Sequence, residues 1–215
     1  MSGHWRCLFW VQSLLGSGHL RRALLLAEAF AVRGAEVILV NGGPPGPWPA
    51  PKGVRLVELP AVTTKNGDFG NLVDATGRPF DDELRAERQR TLLSLLAMQP
   101  HVVMTEMFPF GRRAFRAELL PLLDAASALR PRPLVLASVR DILVSKPDPT
   151  RYRWMAEACL AHYDHVLVHG DERLMPFAAS FPPAAEVGDR IVHTGFIHLG
   201  APATAVGEAP GRQDG

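Results

Sequence analysis

Cysteine and lysine are scarce in this 215-residue sequence, and no apolar run is long enough to span a membrane. The two cysteines, Cys7 and Cys159, belong to no metal-ligand spacing, so a metal-binding module is excluded; each falls in a predicted strand or helix and reads as a buried thiol. No charged leader precedes an apolar core at the start, so a soluble cytoplasmic protein is expected, with no transmembrane segment. Peripheral membrane contact through Trp5, Phe9 or Trp10 is the weaker reading, because these residues lie in a strand expected to be central. An excess of positive charge is also missing: 23 basic residues, only three of them lysine, face 22 acidic ones. That balance leaves no electrostatic footprint for nucleic acid.

Two further absences concern one turn. From Trp5 the chain runs through an apolar strand into Gly16-Ser17-Gly18-His19 and then an amphipathic helix. Such a turn exposes helix-start amides to an anion or a sugar. A dinucleotide fingerprint needs a third glycine and an acid about twenty residues beyond the first. Arg21 stands where that glycine would be, and the second strand ends in Asn41-Gly42-Gly43 with no carboxylate for a ribose. No Lys-Ser or Lys-Thr pair follows the glycines, which excludes a Walker loop. No nicotinamide, flavin or other cofactor is therefore expected. The plain alternative is that the glycines only make a tight strand-to-helix turn.

What is present is an alternation of strands and helices, with 47% apolar side chains to fill one core. The pattern predicts an α/β fold: a Rossmann-like parallel sheet of about seven strands with helices on both faces. The strands expected are 6–12, 35–40, 54–58, 101–106, 133–139, 165–169 and 190–194. Leu20, Ala23, Leu24, Ala27, Phe30 and Ala31 recur at helical spacing and define a buried face closed by Gly34. Residues 59–82 read as a long turn-rich excursion, functional or mobile. A helix over 83–98 should turn Leu84, Leu92, Leu95 and Leu96 inward and leave Arg85, Arg88 and Arg90 mainly solvated. A helix over about 112–129 should kink or end at Pro121. Residues 1–199 are read as one domain and 200–215, rich in Gly, Ala and Pro, as a disordered tail or linker.

Ligands in open parallel sheets bind beyond the carboxyl ends of the strands. Four polar clusters fall there: Gly16, Ser17, Gly18 and His19; Thr105 and Glu106 with Arg112 and Arg113; Ser138, Arg140 and Asp141; and His169, Gly170 and Asp171. Around one cleft these would bind a polyhydroxylated acceptor and deprotonate a hydroxyl. Each residue also has a structural reading. His19 could bond local backbone, Glu106 could pair with Arg112 or Arg113, Arg140 and Asp141 could pair with each other, and Asp171 could cap a short helix.

The motifs GSGHLRRA, TEMFPFGRR, SVRDIL, VLVHGD and HTGF, in this order from Trp5 to Phe196, resemble the amino-terminal half of predicted glycosyltransferases of the two-Rossmann-domain (GT-B) architecture. These are relatives of the enzymes that add N-acetylglucosamine to a lipid-linked muropeptide. The resemblance implies an acceptor-binding domain, with a nucleotide-sugar donor held by a second domain. Only the tail follows Phe196, so the donor domain is expected on a separate chain or in a missing part. In transfer to a hydroxyl acceptor, His19 would be the base, with Glu106 the second candidate. The amides of Gly16 and Gly18 would face the leaving diphosphate, so no metal is invoked. Arg112, Arg140, Asp141, His169, Gly170 and Asp171 would complete the acceptor and diphosphate site. The alternatives from other classes are a non-catalytic sugar or lipid binding module and half of a sugar-nucleotide epimerase.

Overall fold

The first strand sorts its side chains to two cores. In the computed structural model, which describes residues 5–144 and 148–198, Leu8 and Trp10 of β1 (Arg6–Val11) enter one core and Cys7, Phe9 and Val11 the other. After Arg6 every position of β1 is apolar and buried, as expected for a strand covered on both faces inside a parallel sheet.

The chain continues through α1 (Gly18–Val32), β2 (Glu36–Asn41), β3 (Val54–Glu58), β4 (Val62–Lys65), β5 (Asp68–Asp74) and α2 (Asp82–Ser94). It ends with β6 (Val102–Glu106), α3 (Arg116–Ala128), β7 (Leu134–Arg140), α4 (Pro149–His162), β8 (His165–His169), α5 (Ala184–Val187) and β9 (Ile191–His193). Seven strands form one parallel sheet in the order β3-β2-β1-β6-β7-β8-β9. The predicted seven-strand α/β sheet is therefore the observed one. The chain winds outward from β1 to β3, then returns to β6 and winds the other way. The strand order thus switches between β1 and β6, and their carboxyl ends open the crevice where such sheets bind ligands.

Leu20, Ala23, Leu24 and Ala27 of α1 pack on one face of the sheet, as their spacing predicts, and Gly34 with φ of 87° follows the helix. The opposite core takes in side chains from α2, α3 and α4. Val192 of β9 remains 38% exposed, so burial at that edge of the sheet is incomplete. Asp81 caps α2 by accepting a hydrogen bond from the Leu84 amide at 2.9 Å. Among the described residues, no helix is long and apolar enough to cross a membrane.

Three expectations are corrected here. Arg88 is not solvated: it is 0% exposed, and all five of its N–H donors are used. Its Nε and Nη2 hold Glu118 at 2.8 Å each, Nη2 also reaches Gln12 Oε1 at 2.9 Å, and Nη1 bonds the carbonyls of Gly42 and Pro60. The guanidinium also lies against the rings of Phe80 and Phe115. Second, of the two outcomes expected at Pro121, a kink or an end, the end does not occur, and α3 runs through it. Burial of Leu119, Leu122, Leu123 and Ala126 holds the turn around the missing N–H.

Third, the excursion at 59–82 contains an antiparallel hairpin, β4–β5. Asn66 and Gly67 form its two-residue turn with φ of 53° and 78°, the left-handed pair that matches strand twist. Thr63 Oγ1 anchors the hairpin by donating to the Leu14 carbonyl at 2.9 Å. The expected tail at 200–215 lies outside the described residues.

Candidate functional site

Helix α1 begins directly after the glycine turn, so His19 and Arg22, one turn apart, point from the same helix face toward the end of β6. Glu106, the last residue of β6, is fully buried there. Its Oε1 receives His19 Nδ1 at 3.0 Å, Arg22 Nε at 2.9 Å and a short contact from Arg22 Nη2. Its Oε2 receives the Ser138 hydroxyl at 2.5 Å. Burial pushes the Glu106 carboxyl up, but the bond from His19, the charge and bonds of Arg22 and the Ser138 hydroxyl outweigh it and hold the group below its ordinary range. The carboxylate is ionised and saturated with donors.

Because Ser138 spends its proton on Glu106, its oxygen is free to accept from His169 Nε2 at 2.8 Å. His169 Nδ1 then accepts from the Thr194 hydroxyl at 2.7 Å. With the Ser138 proton on Glu106, the donors run in one direction, from Thr194 through His169 and Ser138 to Glu106. Burial drives the His169 pKa down to about 4, opposed by the charge of Glu106 and reinforced by Arg22. His169 is therefore neutral at pH 7. His19 Nδ1 lies 3.0 Å from Glu106 Oε1 and 3.2 Å from Arg22 Nη2; with its proton assigned to Nδ1 the ring donates to the carboxylate and turns Nε2 away as an acceptor. The side chain of His19 is 24% exposed.

His19 lies at the edge of a cleft of about 460 Å³. Its walls are apolar: Leu14 and Leu15 from the glycine turn, Phe69 from β5, Met107, Pro109 and Phe110 from the segment after β6, and Trp154 and Met155 from α4. Arg112, Arg113, Arg140 and Arg151 also line it, and among the described residues no carboxylate does. Arg112 donates to the Gln12 carbonyl at 2.7 Å, and burial lowers its pKa, opposed by Glu106 and reinforced by Arg22.

Of the residues singled out from the sequence, His19, Arg112 and Arg140 reach the cleft, while Glu106 and His169 form the hydrogen-bonded layer behind His19. Gly16, Ser17 and Gly18 shape the turn without lining the cleft. Gly16 has φ of 70°, and the Ser17 side chain makes no capping bond. The carboxylate suggested to pair with Arg112 or Arg113 pairs instead with Arg22. Among the described residues Arg140 makes no ion pair, and Asp141 bonds the Ile142 amide at 3.0 Å. Asp141 also packs where a Cβ on Gly170 would sit, 2.5 Å from its own Cβ. Asp171 caps a turn rather than a helix, accepting from the Arg173 amide at 2.9 Å and pairing with the Arg173 side chain. That pairing and its backbone bond lower its pKa to about 2.

Arg22 and Thr194 were not marked from the sequence. The signal for Arg22 was its three-residue step from His19. The pairing of Glu106 with Ser138 is a register relation between β6 and β7 that sequence spacing does not encode. Among the described residues, no group of three histidine, cysteine or acidic side chains could hold a metal ion.

No protein-family model matches the chain, and no curated protein resembles it in sequence. Its fold is nevertheless found in solved glycosyltransferases. A glycosyltransferase from Rickettsia africae ESF-5 superposes with a TM-score of 0.52 at 12% identity, over 88% of this chain and 42% of that one. The Glycyrrhiza uralensis UGT73P12, complexed with glycyrrhetinic acid 3-O-monoglucuronide, gives 0.51 at 13% identity, over 90% and 49%. LpCGTa in complex with UDP gives 0.50 at 14% identity, over 89% and 52%. The chain thus spans about half the length of the GT-B glycosyltransferases whose fold it shares.

Proposed function

We propose that this chain is the acceptor-binding half of a GT-B glycosyltransferase, in which His19 is the base and Glu106 the residue that positions it. The observation that carries the reading is the His19–Glu106 contact at the switch in strand order, with His19 Nε2 unengaged among the described residues beside an apolar cleft. Two solved proteins of this fold are bound to UDP or to glycyrrhetinic acid 3-O-monoglucuronide, which supports a nucleotide-sugar donor and a hydroxyl acceptor.

In this mechanism the acceptor lies in the cleft with a hydroxyl against His19 Nε2. As its oxygen forms a bond to the anomeric carbon, Nε2 takes the proton, and the sugar–diphosphate bond breaks with its electron pair leaving on the nucleoside diphosphate. The charge that develops on the imidazole is stabilised by Glu106, which Arg22 and Ser138 hold ionised and fixed in place. The donor sits on a second half supplied by a longer polypeptide or a separate chain. The glycine turn faces that half, with its helix-start amides turned toward the diphosphate.

Calorimetry of this chain with uridine-, guanosine- and thymidine-diphosphate sugars tests the assignment of the halves. The expected result is no specific binding, whereas tight binding by this chain alone would make it the donor half. With a donor half supplied, His19→Ala should reduce transfer by about 10² to 10⁴-fold. Acceptor binding that persists with no transfer under any donor would leave a binding module.

A further inference from the structure

Four successive strand ends pass hydrogen bonds toward His19, and the reaction above uses only the nearer two. Glu106 closes β6, Ser138 lies near the end of β7, His169 closes β8 and Thr194 follows β9. The links are 2.5 Å from Ser138 to Glu106, 2.8 Å from His169 Nε2 to Ser138 and 2.7 Å from Thr194 to His169 Nδ1. Glu106 and Ser138 are fully buried and His169 is 5% exposed, whereas Thr194 is exposed at the edge of the sheet. Neither Ser138, His169 nor Thr194 lines the cleft.

Proton counting gives this row of groups a direction. Glu106 Oε1 is held by His19 and Arg22, but among the described residues Oε2 has one donor, Ser138. Ser138 has a single proton and faces two groups, Glu106 Oε2 and His169 Nε2, and the second competes for that proton whenever the nitrogen is bare. A neutral imidazole carries its proton on one nitrogen, and the partner of the other decides which. The Thr194 hydroxyl, donating to Nδ1, keeps the ring proton on Nε2 and thereby the Ser138 proton on Glu106. The other acceptors near that hydroxyl, the carbonyls of Gly195 and Val168, are farther away at 3.2 and 3.4 Å. The Thr194 amide, bonded to the Val168 carbonyl at 2.9 Å, holds the hydroxyl in place.

At the far end of the row His19 Nδ1 stands between two opposed partners, Glu106 Oε1 and Arg22 Nη2. A carboxylate only accepts and a guanidinium only donates, so the two favour opposite tautomers. Glu106 in place draws the ring proton to Nδ1 and leaves Nε2 bare for an acceptor hydroxyl. Glu106 displaced would let Arg22 donate to Nδ1, move the proton to Nε2 and silence the base.

We propose that His169 and Thr194 are positioning residues: by fixing the Ser138 proton on Glu106 they hold the carboxylate against His19 Nδ1 and keep His19 in the tautomer whose Nε2 accepts a proton. This rests on the reading of His19 as the base and adds the residues that set its tautomer. The row begins at an exposed threonine beside the thinnest strand and ends at the cleft, so the state of the β9 edge is felt at His19.

Ring nitrogen–proton correlation spectra of the chain, with its eight histidines labelled with ¹⁵N, test this at about pH 8.5, above the ordinary range of imidazole. His19→Gln and His169→Gln assign the two signals. In the unaltered chain His19 should carry its proton on Nδ1 and His169 on Nε2. Thr194→Val should move the His169 proton toward Nδ1 and lower the His19 ratio of Nδ1–H to Nε2–H about fivefold, the scale of one lost hydrogen bond. Ser138→Ala should give the same fall at His19, and Thr194→Ser, which keeps the hydroxyl, should preserve both patterns of the unaltered chain. Should Ser138→Ala unfold the chain, the two substitutions at exposed Thr194 carry the test by themselves.

A His19 ratio unchanged in Thr194→Val, even with His169 altered, overturns the proposal. So does a Thr194→Ser spectrum as changed as that of Thr194→Val, or a His19 proton found on Nε2 in the unaltered chain. The spectra involve no donor and no turnover, so an absence of glycosyl transfer would strike the reading of His19 as the base while leaving the coupling of the tautomers to stand on its own result.

Discussion

His169 shows how burial fixes a charge state that its residue type leaves open. Its pKa falls from 6.5 to about 4 in the fold, so the unfolded chain binds the proton more readily. The neutral ring therefore contributes stability that is complete above pH 6.5 and lost as pH falls toward 4, about 3 kcal/mol in all. Denaturant titrations across that window should show the loss, and His169→Gln should flatten the slope even while lowering stability at neutral pH. An unchanged slope would mean that His169 binds its proton as readily in the fold as in the unfolded chain. The thiols make a second prediction: burial pushes Cys7 and Cys159 up to about 12, so neither should react with an alkylating reagent at pH 8 until denaturant is added. Labelling of the native chain at the rate of a free thiol would contradict it. His19 and Glu106 were recognisable in the sequence because each ends a predicted strand or opens a predicted helix. Their shared partner Arg22 was not, because an arginine on a helix looks the same whether it meets water or a buried carboxylate.

Among the elements, α2 carries the largest difference between expectation and structure. Its spacing marks the inward leucines correctly, yet Arg88 sits among them because Glu118 on α3 and the carbonyls of Gly42 and Pro60 surround it. Removing one partner leaves a buried charge without compensation, so Glu118→Ala should destabilise the fold by about 3 to 5 kcal/mol in denaturant titration. The exposed Arg85–Asp82 pair on the same helix should matter little when broken. Gly42 belongs to this network: a Cβ there would lie 2.3 Å from Gln12 Oε1 and 2.5 Å from Arg88 Nη2. Gly42→Ala should therefore cost about 1 to 3 kcal/mol by the same measurement. A neutral result would mean that the network repacks freely. The hairpin β4–β5 was readable from Asn66-Gly67 between β-branched and apolar residues, but the surrounding prolines and glycines obscured it. That it delivers Phe69 to the cleft depends on the Thr63 bond to Leu14, a contact across 49 positions of sequence.

For the whole molecule, burial is deepest where β2, β1, β6 and β7 lie side by side and thinnest at β9, whose three residues are all at least partly exposed. Amide exchange should be slowest in those central strands and fast in β9 and at the β4–β5 turn. Protection in β9 equal to that of β1 would mean that something covers this edge in solution. The sequence by itself determined the seven strands of the main sheet and their parallel association, but not the β4–β5 hairpin. Apolar periodicity and glycine placement are local properties that burial on both faces of a sheet enforces. The tertiary structure alone decided which polar groups meet. The switch in strand order sets Glu106 beneath His19, the β6–β7 register sets Ser138 against Glu106, and the packing of α2, α3 and α4 gathers arginines from three segments beside an apolar cleft. Such meetings depend on side chains dozens of residues apart reaching within about 3 Å in a desolvated interior, and no local pattern specifies them.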